Sequence, residues 1–150
     1  MKTPLPWTGG CRCGQVRFEI TAPPMLTMAC HCTGCQKMSA SAFSLSVAIP
    51  TAGFAVTAGE PVIGGLHNPD LRHNFCPHCL SWMFTQPKGA PFVNVRATML
   101  DDTTGFAPFI ETYTCEKLPW ATTPAVHSFE KFPALEDYLA LTRAFVAARD

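Results

Sequence analysis

Eight cysteines are the residues of this 150-residue chain that are best suited to chemistry, and seven of them fall into three short motifs. The motifs are C-x-C at 11–13, C-x-C-x-x-C at 30–35 and C-x-x-C at 76–79, and Cys115 stands alone. Zinc binds thiolates in a tetrahedron, and spacings this short let one loop supply two or three of them. The pattern therefore predicts bound metal, with zinc as the first choice.

The two outer motifs together carry enough ligands for one closed site. Cys11, Cys13, Cys76 and Cys79 are four thiolates, the number that a structural zinc takes. Such a site would tie the N-terminal region to the middle of the chain, so that metal binding would add to the free energy of folding. It would leave no position for a substrate.

The central motif has one ligand fewer, and we call Cys30, Cys32 and Cys35 the triplet. Zinc bound to three residues keeps a fourth position for water or a substrate, as catalytic zinc sites do. Alternatively, Cys115 closes the site and both metals are structural. An iron–sulfur cluster, which would also need a fourth cysteine, and free thiols at incidental spacing are the other interpretations. Spacing alone does not pair the ligands.

His31 lies between two cysteines of the triplet and is the candidate catalytic residue. An imidazole can move a proton near neutral pH, which thiol chemistry requires. The alternative is a spacer that faces solvent or packs behind the ligands. Further candidates for binding a charged substrate are three cations and two indole rings, each with an ordinary surface or core role as the alternative: Lys37, Arg72, Lys117, Trp82 and Trp120.

Composition narrows the class of protein. Hydrophobic residues make up 47% of the chain and charged residues 15%, which is typical of a folded globular protein. Basic and acidic residues balance at 11 each without a basic run, so we expect no nucleic-acid partner. No secretory signal opens the sequence, and no apolar run reaches the roughly 18 residues of a membrane span. We expect a cytoplasmic protein without a membrane partner, whose cysteines bind metal rather than form disulfides.

Short strands separated by turns are expected over most of the chain. Alternating apolar and polar residues predict half-buried strands at 15–20, 43–49, 92–100 and 109–114. In the second of these, Ser44 and Ser46 would face away from the core. Frequent turn residues, with 14 prolines and 10 glycines, suit a sheet of short strands.

Helix is predicted convincingly only at the C-terminal end, over 133–149, with a shorter helical turn from Gly34 through Met38. The long helix carries an apolar stripe that we expect to pack on the sheet: Leu135, Tyr138, Leu139, Phe145 and Val146. The sequence therefore predicts a single mainly β domain over 1–150, with short strands and a C-terminal α-helix.

The order of the motifs resembles the glutathione-dependent formaldehyde-activating enzyme family, which includes centromere protein V. The resemblance rests on GGCRCGQVRFE, CHCTGCQKMSASAFSLSVAIP, FCPHCLSWMF and KLPW, and it extends from about Gly9 to Trp120. It implies a zinc-binding β-tent fold with two zinc ions per chain. One would be a structural zinc on the outer motifs, and the second would lie on the triplet at the active site. Neither Cys115 nor a histidine is a ligand in this pattern, so Cys115 should pack as a small apolar residue.

The resemblance also implies the activity of a carbon–sulfur lyase. Formaldehyde would condense with glutathione to S-hydroxymethylglutathione, or the reverse, so the partners would be a small thiol and an aldehyde. The competing class is a noncatalytic binding module in which both zinc ions are structural. A third interpretation is a redox protein similar to methionine sulfoxide reductase B. It has less support, because Cys115 is the only cysteine outside the motifs that remains as a nucleophile.

Three residues depart from the family's usual pattern. Leu80 follows the C-x-x-C motif where glycine is usual, and Ala40 also replaces a frequent glycine. Both changes concern the geometry of turns. Glu111 stands where a histidine is common, which bears on substrate binding and on the choice of glutathione as the thiol.

Overall fold

The computed structural model describes residues 4–149, which contain two α-helices and 11 short strands. The helices are α1 (Thr33–Ser39) and α2 (Asp137–Ala147). The strands are β1 (Trp7–Gly10), β2 (Arg17–Ile20), β3 (Leu26–Cys30), β4 (Ser44–Pro50), β5 (Phe54–Ala58), β6 (Val62–Ile63), β7 (His73–Phe75), β8 (Trp82–Thr85), β9 (Phe92–Arg96), β10 (Ile110–Thr112) and β11 (His127–Ser128). The predicted mainly β class with a C-terminal helix is confirmed.

The strands form two sheets. A three-stranded sheet has the order β1-β2-β5, and an eight-stranded sheet has the order β11-β10-β3-β4-β9-β8-β7-β6. In the larger sheet β10 runs parallel to its neighbours β3 and β11, and the remaining pairs are antiparallel. The main core lies between the sheets, where Phe18 and Ile20 of β2 cluster with Val47 of β4 and Val95 of β9.

Both faces of the central strand β4 are covered. The strand itself was predicted correctly, and Ser44 and Ser46 lie outside the main core as predicted. The expectation of a half-buried strand is wrong, however, since each serine is only 2% exposed. Val47 and Ile49 lie in the main core, whereas Ala48 lies in a second core cluster under α2. Alternation identified the strand but could not reveal that other segments cover its polar face.

The C-terminal helix α2 packs on the larger sheet through a face that shares only Tyr138 and Phe145 with the predicted stripe. Leu141 and Phe145, one turn apart, are buried in the second cluster with Leu26 of β3 and Ile110 of β10, and Tyr138 packs against its border as predicted. The other members of the predicted stripe are exposed, at 86% for Leu135, 62% for Leu139 and 46% for Val146. The helix is confirmed, and these three core contacts are wrong because the sheet is met by the Leu141 face.

One end of the larger sheet positions the candidate site. Cys30 ends β3 and lies opposite Ser44 at the start of β4 and Thr112 at the end of β10. The strands predicted at 92–100 and 109–114 are shorter than expected, because β9 stops at Arg96 and β10 at Thr112, each followed by or close to a 3-10 turn. These strand ends therefore bring separated parts of the sequence to one edge. Neither helix within residues 4–149 has the length and apolar character needed to span a membrane.

Candidate metal centres

The outer motifs meet in one cluster of four thiols. The sulfur atoms of Cys11, Cys13, Cys76 and Cys79 all lie within 4.8 Å of one another. The Cys11–Cys13 distance is 3.4 Å and the Cys13–Cys76 distance is 3.7 Å between sulfurs. Four sulfurs at about 2.3 Å from a tetrahedral zinc are separated by about 3.8 Å. The donor set and its spacing therefore fit a four-thiolate metal ion.

Local backbone structure holds these four thiols in place. The turn after Cys11 passes through Gly14 at φ +80°, a conformation that favours glycine. This turn lets the amide of Val16 donate to Cys11 Sγ over 3.3 Å, and the amide of Cys79 donates to Cys76 Sγ over 3.5 Å. Amide donors stabilise the thiolate form that a metal needs, because they favour the charged sulfur over the neutral one.

The triplet forms a second cluster, in which the three sulfurs again lie within 4.8 Å of one another. Cys30 comes from the end of β3, Cys32 caps α1, and Cys35 lies in its first turn. The amide of Cys35 donates to Cys32 Sγ over 3.3 Å, and the predicted short helix after Gly34 is confirmed as part of α1. A hydrogen bond from the Cys35 thiol lowers the pKa of Cys30 to about 5 against the effect of burial. The three donors fit a metal ion with a free position.

Cys115 belongs to neither cluster. It is exposed in the middle of the 3-10 turn after β10, so the expectation that it packs as a small apolar residue is wrong. The interpretation in which Cys115 closes the triplet receives no support from this position.

His31 is fully buried behind the triplet rather than facing solvent. Its Nε2 lies 2.9 Å from Glu111 Oε2, and its backbone amide donates to the carbonyl of Thr112 over 2.9 Å. The edge of the ring contacts Phe43, with 5.2 Å between ring centroids. Its other nitrogen, Nδ1, has no hydrogen-bond partner among the described residues. A buried imidazole with one nitrogen fixed and one unpaired thus adjoins two metal-ligand candidates.

Glu111 anchors this histidine through a dense set of hydrogen bonds. Besides His31, its carboxylate accepts from Lys117 Nζ at 3.0 Å, and from the hydroxyls of Thr123 and Ser128 at 2.8 Å each. Burial raises the pKa of the Glu111 carboxyl, but the donors outweigh it and lower the pKa to about 2. Glu111 is therefore ionised at neutral pH, and it engages Lys117, one of the cations proposed from the sequence for substrate binding.

A pocket of ≈ 410 Å³ is lined by chain neighbours of both clusters, although none of the seven clustered cysteines lines it. Met38 of α1, Ser44 of β4, Trp82 of β8 and Arg96 of β9 are among its lining residues, together with Leu80 beside the four-thiol cluster. Trp82 was proposed from the sequence as a wall of the binding pocket, and it is among the residues that line this pocket. The three cations and the second indole proposed from the sequence are not among the residues that line it: Lys37, Arg72, Lys117 and Trp120.

Arg96 is the charged residue of this pocket that sequence reasoning missed. The only sequence signal is a polar alternation in FVNVR, where Asn94 and Arg96 point opposite to the core residues Val93 and Val95. That pattern is also typical of an ordinary surface face. Arg96 becomes a candidate for ligand binding only in the structure, where it lines the pocket.

The comparison with known proteins agrees with the motifs. A family model described as glutathione-dependent formaldehyde-activating enzyme matches residues 6–116. The chain belongs to this family. A curated relative from Emericella nidulans, provisionally named a glutathione-dependent formaldehyde-activating enzyme, is 26% identical over 144 residues, covering 88% of this chain and 73% of the relative.

The fold also has a counterpart among solved structures. A crystal structure of a Rhodobacter sphaeroides protein superposes with a TM-score of 0.51 at 19% identity, covering 65% of this chain and 91% of that one. At this identity the likeness concerns the fold. Ala40 at φ +49° and Leu80 at φ +56°, the two positions where the resemblance implied glycine, both have backbone conformations that favour glycine.

Proposed function

We propose that this protein is a zinc-dependent carbon–sulfur lyase of the S-(hydroxymethyl)glutathione synthase type, joining an aldehyde to a thiol or running the reverse. The observation that carries the proposal is a cluster of three thiols with no fourth ligand among residues 4–149, close to a pocket that is lined by Ser44 and is large enough for a small molecule. Membership of a family named for glutathione-dependent formaldehyde activation supports the same chemistry.

Two zinc ions per chain are part of this proposal. The four-thiol cluster would hold a structural ion, and Cys30, Cys32 and Cys35 would hold the second. A zinc ion on three thiolates supplies a Lewis acid that can hold a thiol in its ionised form or polarise a carbonyl oxygen. The cytoplasm, whose reducing conditions keep cysteines available as ligands, is the proposed compartment.

His31 is proposed to carry the proton that the reaction must move. In the forward direction a bond forms between the thiol sulfur and the aldehyde carbon, and the thiol proton ends on the aldehyde oxygen. The unpaired Nδ1 of His31 is the available base, and Glu111 holds the ring through Nε2. Burial of both side chains keeps the ring in one orientation, which favours transfer along a fixed path.

The test is an NMR measurement of hydroxymethyl exchange between formaldehyde and thiols. Holoprotein, protein stripped of metal and protein reconstituted with zinc are compared, with glutathione and simpler thiols as acceptors. We expect exchange above the uncatalysed rate that is lost on stripping and recovered with zinc. Equal rates in all three preparations would reject the enzyme and favour the noncatalytic binding module.

A further inference from the structure

Arg96 is a buried cation without a carboxylate partner in residues 4–149. Its side chain is 7% exposed, and it takes part in none of the ion pairs formed by the described residues. Burying a charge is costly unless the charge is paired, so buried arginines normally face a carboxylate, a phosphate or another anion. The thiols of Cys35 and Cys30 favour the charged guanidinium from a distance, but no described carboxylate pairs with it, so its free donors suit an anion that arrives with a ligand.

The guanidinium group of Arg96 is held in place by neighbours that do not occupy all of its hydrogen-bond donors. Nη1 donates to Ser44 Oγ and Nη2 donates to the carbonyl of Asn94, each over 3.2 Å. The indole ring of Trp82 stacks on it, with 4.1 Å from the guanidinium carbon to the ring centroid. Nε has no partner within the described part of the chain, and the group has five N–H donors in all. The guanidinium group of Arg96 is thus fixed in orientation, and some of its N–H donors remain available for a ligand.

Ser44 connects this arginine to the triplet. Ser44 lies opposite Cys30 of the triplet in the pairing of β3 with β4. Its hydroxyl accepts from Arg96 Nη1. Ser44 therefore links Arg96 to a strand end that carries a candidate metal ligand, and both Ser44 and Arg96 line the pocket.

We propose that Arg96 binds a carboxylate of the thiol substrate, so that the pocket selects thiols that carry an acid group. The assignment of the sulfur to the triplet rests on the proposed function, whereas the carboxylate site rests on Arg96 itself. The pocket, at ≈ 410 Å³, lies within the roughly 300–1,000 Å³ typical of small-molecule sites. A guanidinium fork matches a carboxylate in a planar, two-bond geometry that a simple charge would not impose.

The test compares two thiols that differ in one group. In 3-mercaptopropionate the chain ends in a carboxylate, and in 3-mercaptopropanol it ends in a neutral hydroxymethyl group. Their dissociation constants are measured by NMR on the zinc-loaded protein for wild type, Arg96→Gln and Arg96→Lys. The matched control is Arg143→Gln, which removes the same charge from an exposed position on α2.

We expect wild type and Arg143→Gln to prefer the carboxylate by about 10- to 100-fold, the range for hydrogen bonds to a charged group. Arg96→Gln should lose this preference, and Arg96→Lys should fall between. If Arg96→Gln weakens both thiols equally, the arginine only balances the charge of the thiolates and the proposal is overturned. Should the variants not fold, equal affinity of wild type for the two thiols overturns it without them.

A blocked ligand separates this inference from the proposed reaction. S-methylglutathione has carboxylates but no free thiol, so its binding is independent of turnover. Binding of this ligand that depends on Arg96, in a protein without hydroxymethyl exchange, would reject the lyase and keep the carboxylate site. Exchange at equal rates with both mercaptans, in wild type and Arg96→Gln alike, would keep the lyase and reject the carboxylate site.

Discussion

His31 Nε2 lies 2.9 Å from Glu111 Oε2, although the two residues are 80 positions apart in the sequence. Both side chains are buried, and the parallel pairing of β10 with β3 brings them together. At the position where the resemblance implied a histidine, this chain places a carboxylate that is hydrogen-bonded to the histidine of the triplet. The ionisation of Glu111 and the role of the histidine that it holds can be tested separately.

The ionised Glu111 carboxylate should stabilise the fold at neutral pH but not in acid. Its pKa is lowered from 4.5 to about 2 in the folded protein, so the stabilisation is present above about pH 4.5 and is lost as the pH falls towards 2. The full effect is on the order of 3 kcal/mol. Urea unfolding of wild type and Glu111→Gln from pH 7 to pH 2.5 checks this. The stability difference should shrink in acid, and a difference independent of pH would contradict the pKa.

Replacement of His31 tests its role as the base. His31→Ala should lower the turnover of hydroxymethyl exchange by roughly 10²-fold, because general base catalysis contributes at least that much. His31→Gln can keep a hydrogen bond to Glu111 but cannot act as a base, so it should be equally slow while retaining more stability. Metal content is measured for both. Full turnover in either variant would make His31 a packing residue behind the ligands.

The cysteine motifs were predictable because their information is local. A ligand spacing of one or two residues is set by a single turn, so the sequence alone brings Cys30, Cys32 and Cys35 together. Arg96 could not be found in this way, because its role depends on Ser44, 52 residues away, and on the register of β9 against β4. The function of a polar residue on a strand depends on what the other strands place opposite it.

The error in predicting which face of α2 packs on the sheet has a related cause. An apolar helix can present more than one stripe, and its own sequence does not say which stripe meets the sheet. Leu139 is as apolar as Leu141, but the approach of α2 to β3 and β10 buries the face of Leu141 and Phe145, and Leu135 lies in the turn before the helix. Docking geometry is a property of two surfaces, and the pattern of one surface predicts only that a helix exists.

Glycine at position 80 should stabilise the protein. Leu80 has φ +56°, where an L side chain clashes with its own backbone at a cost of about 1 kcal/mol, and its side chain is largely exposed. Leu80→Gly should therefore raise the melting temperature by about 1–4 °C. Leu135→Gly is the matched control, since Leu135 is exposed at an ordinary φ and should become neutral or less stable. A loss of stability in Leu80→Gly like that of the control would contradict the strain.

Loss of the metal ion from each of the two sites should have different effects on stability and on exchange. Cys76→Ser removes one of four thiolates from the cluster that joins the N-terminal loop to β7, and metal-linked folding free energies are on the order of 10 kcal/mol in small zinc domains. We expect this variant to lose one metal ion per chain and to melt far below wild type. Cys32→Ser should also lose one ion but keep most of the fold, because its loop is already closed by α1 and β4, and it should abolish exchange. Cys115→Ala, an exposed thiol outside both clusters, is the control and should keep both metal ions and full activity.

Stepwise chelation of wild type gives the same distinction without substitutions. Three protein ligands retain zinc less tightly than four, so the triplet should be stripped first, and exchange should vanish while the melting temperature remains high. The measurement follows metal content, circular dichroism and exchange on the same samples. Simultaneous loss of both ions, or loss of fold before loss of exchange, would contradict the assignment of a structural ion to the four-thiol cluster and an accessible one to the triplet.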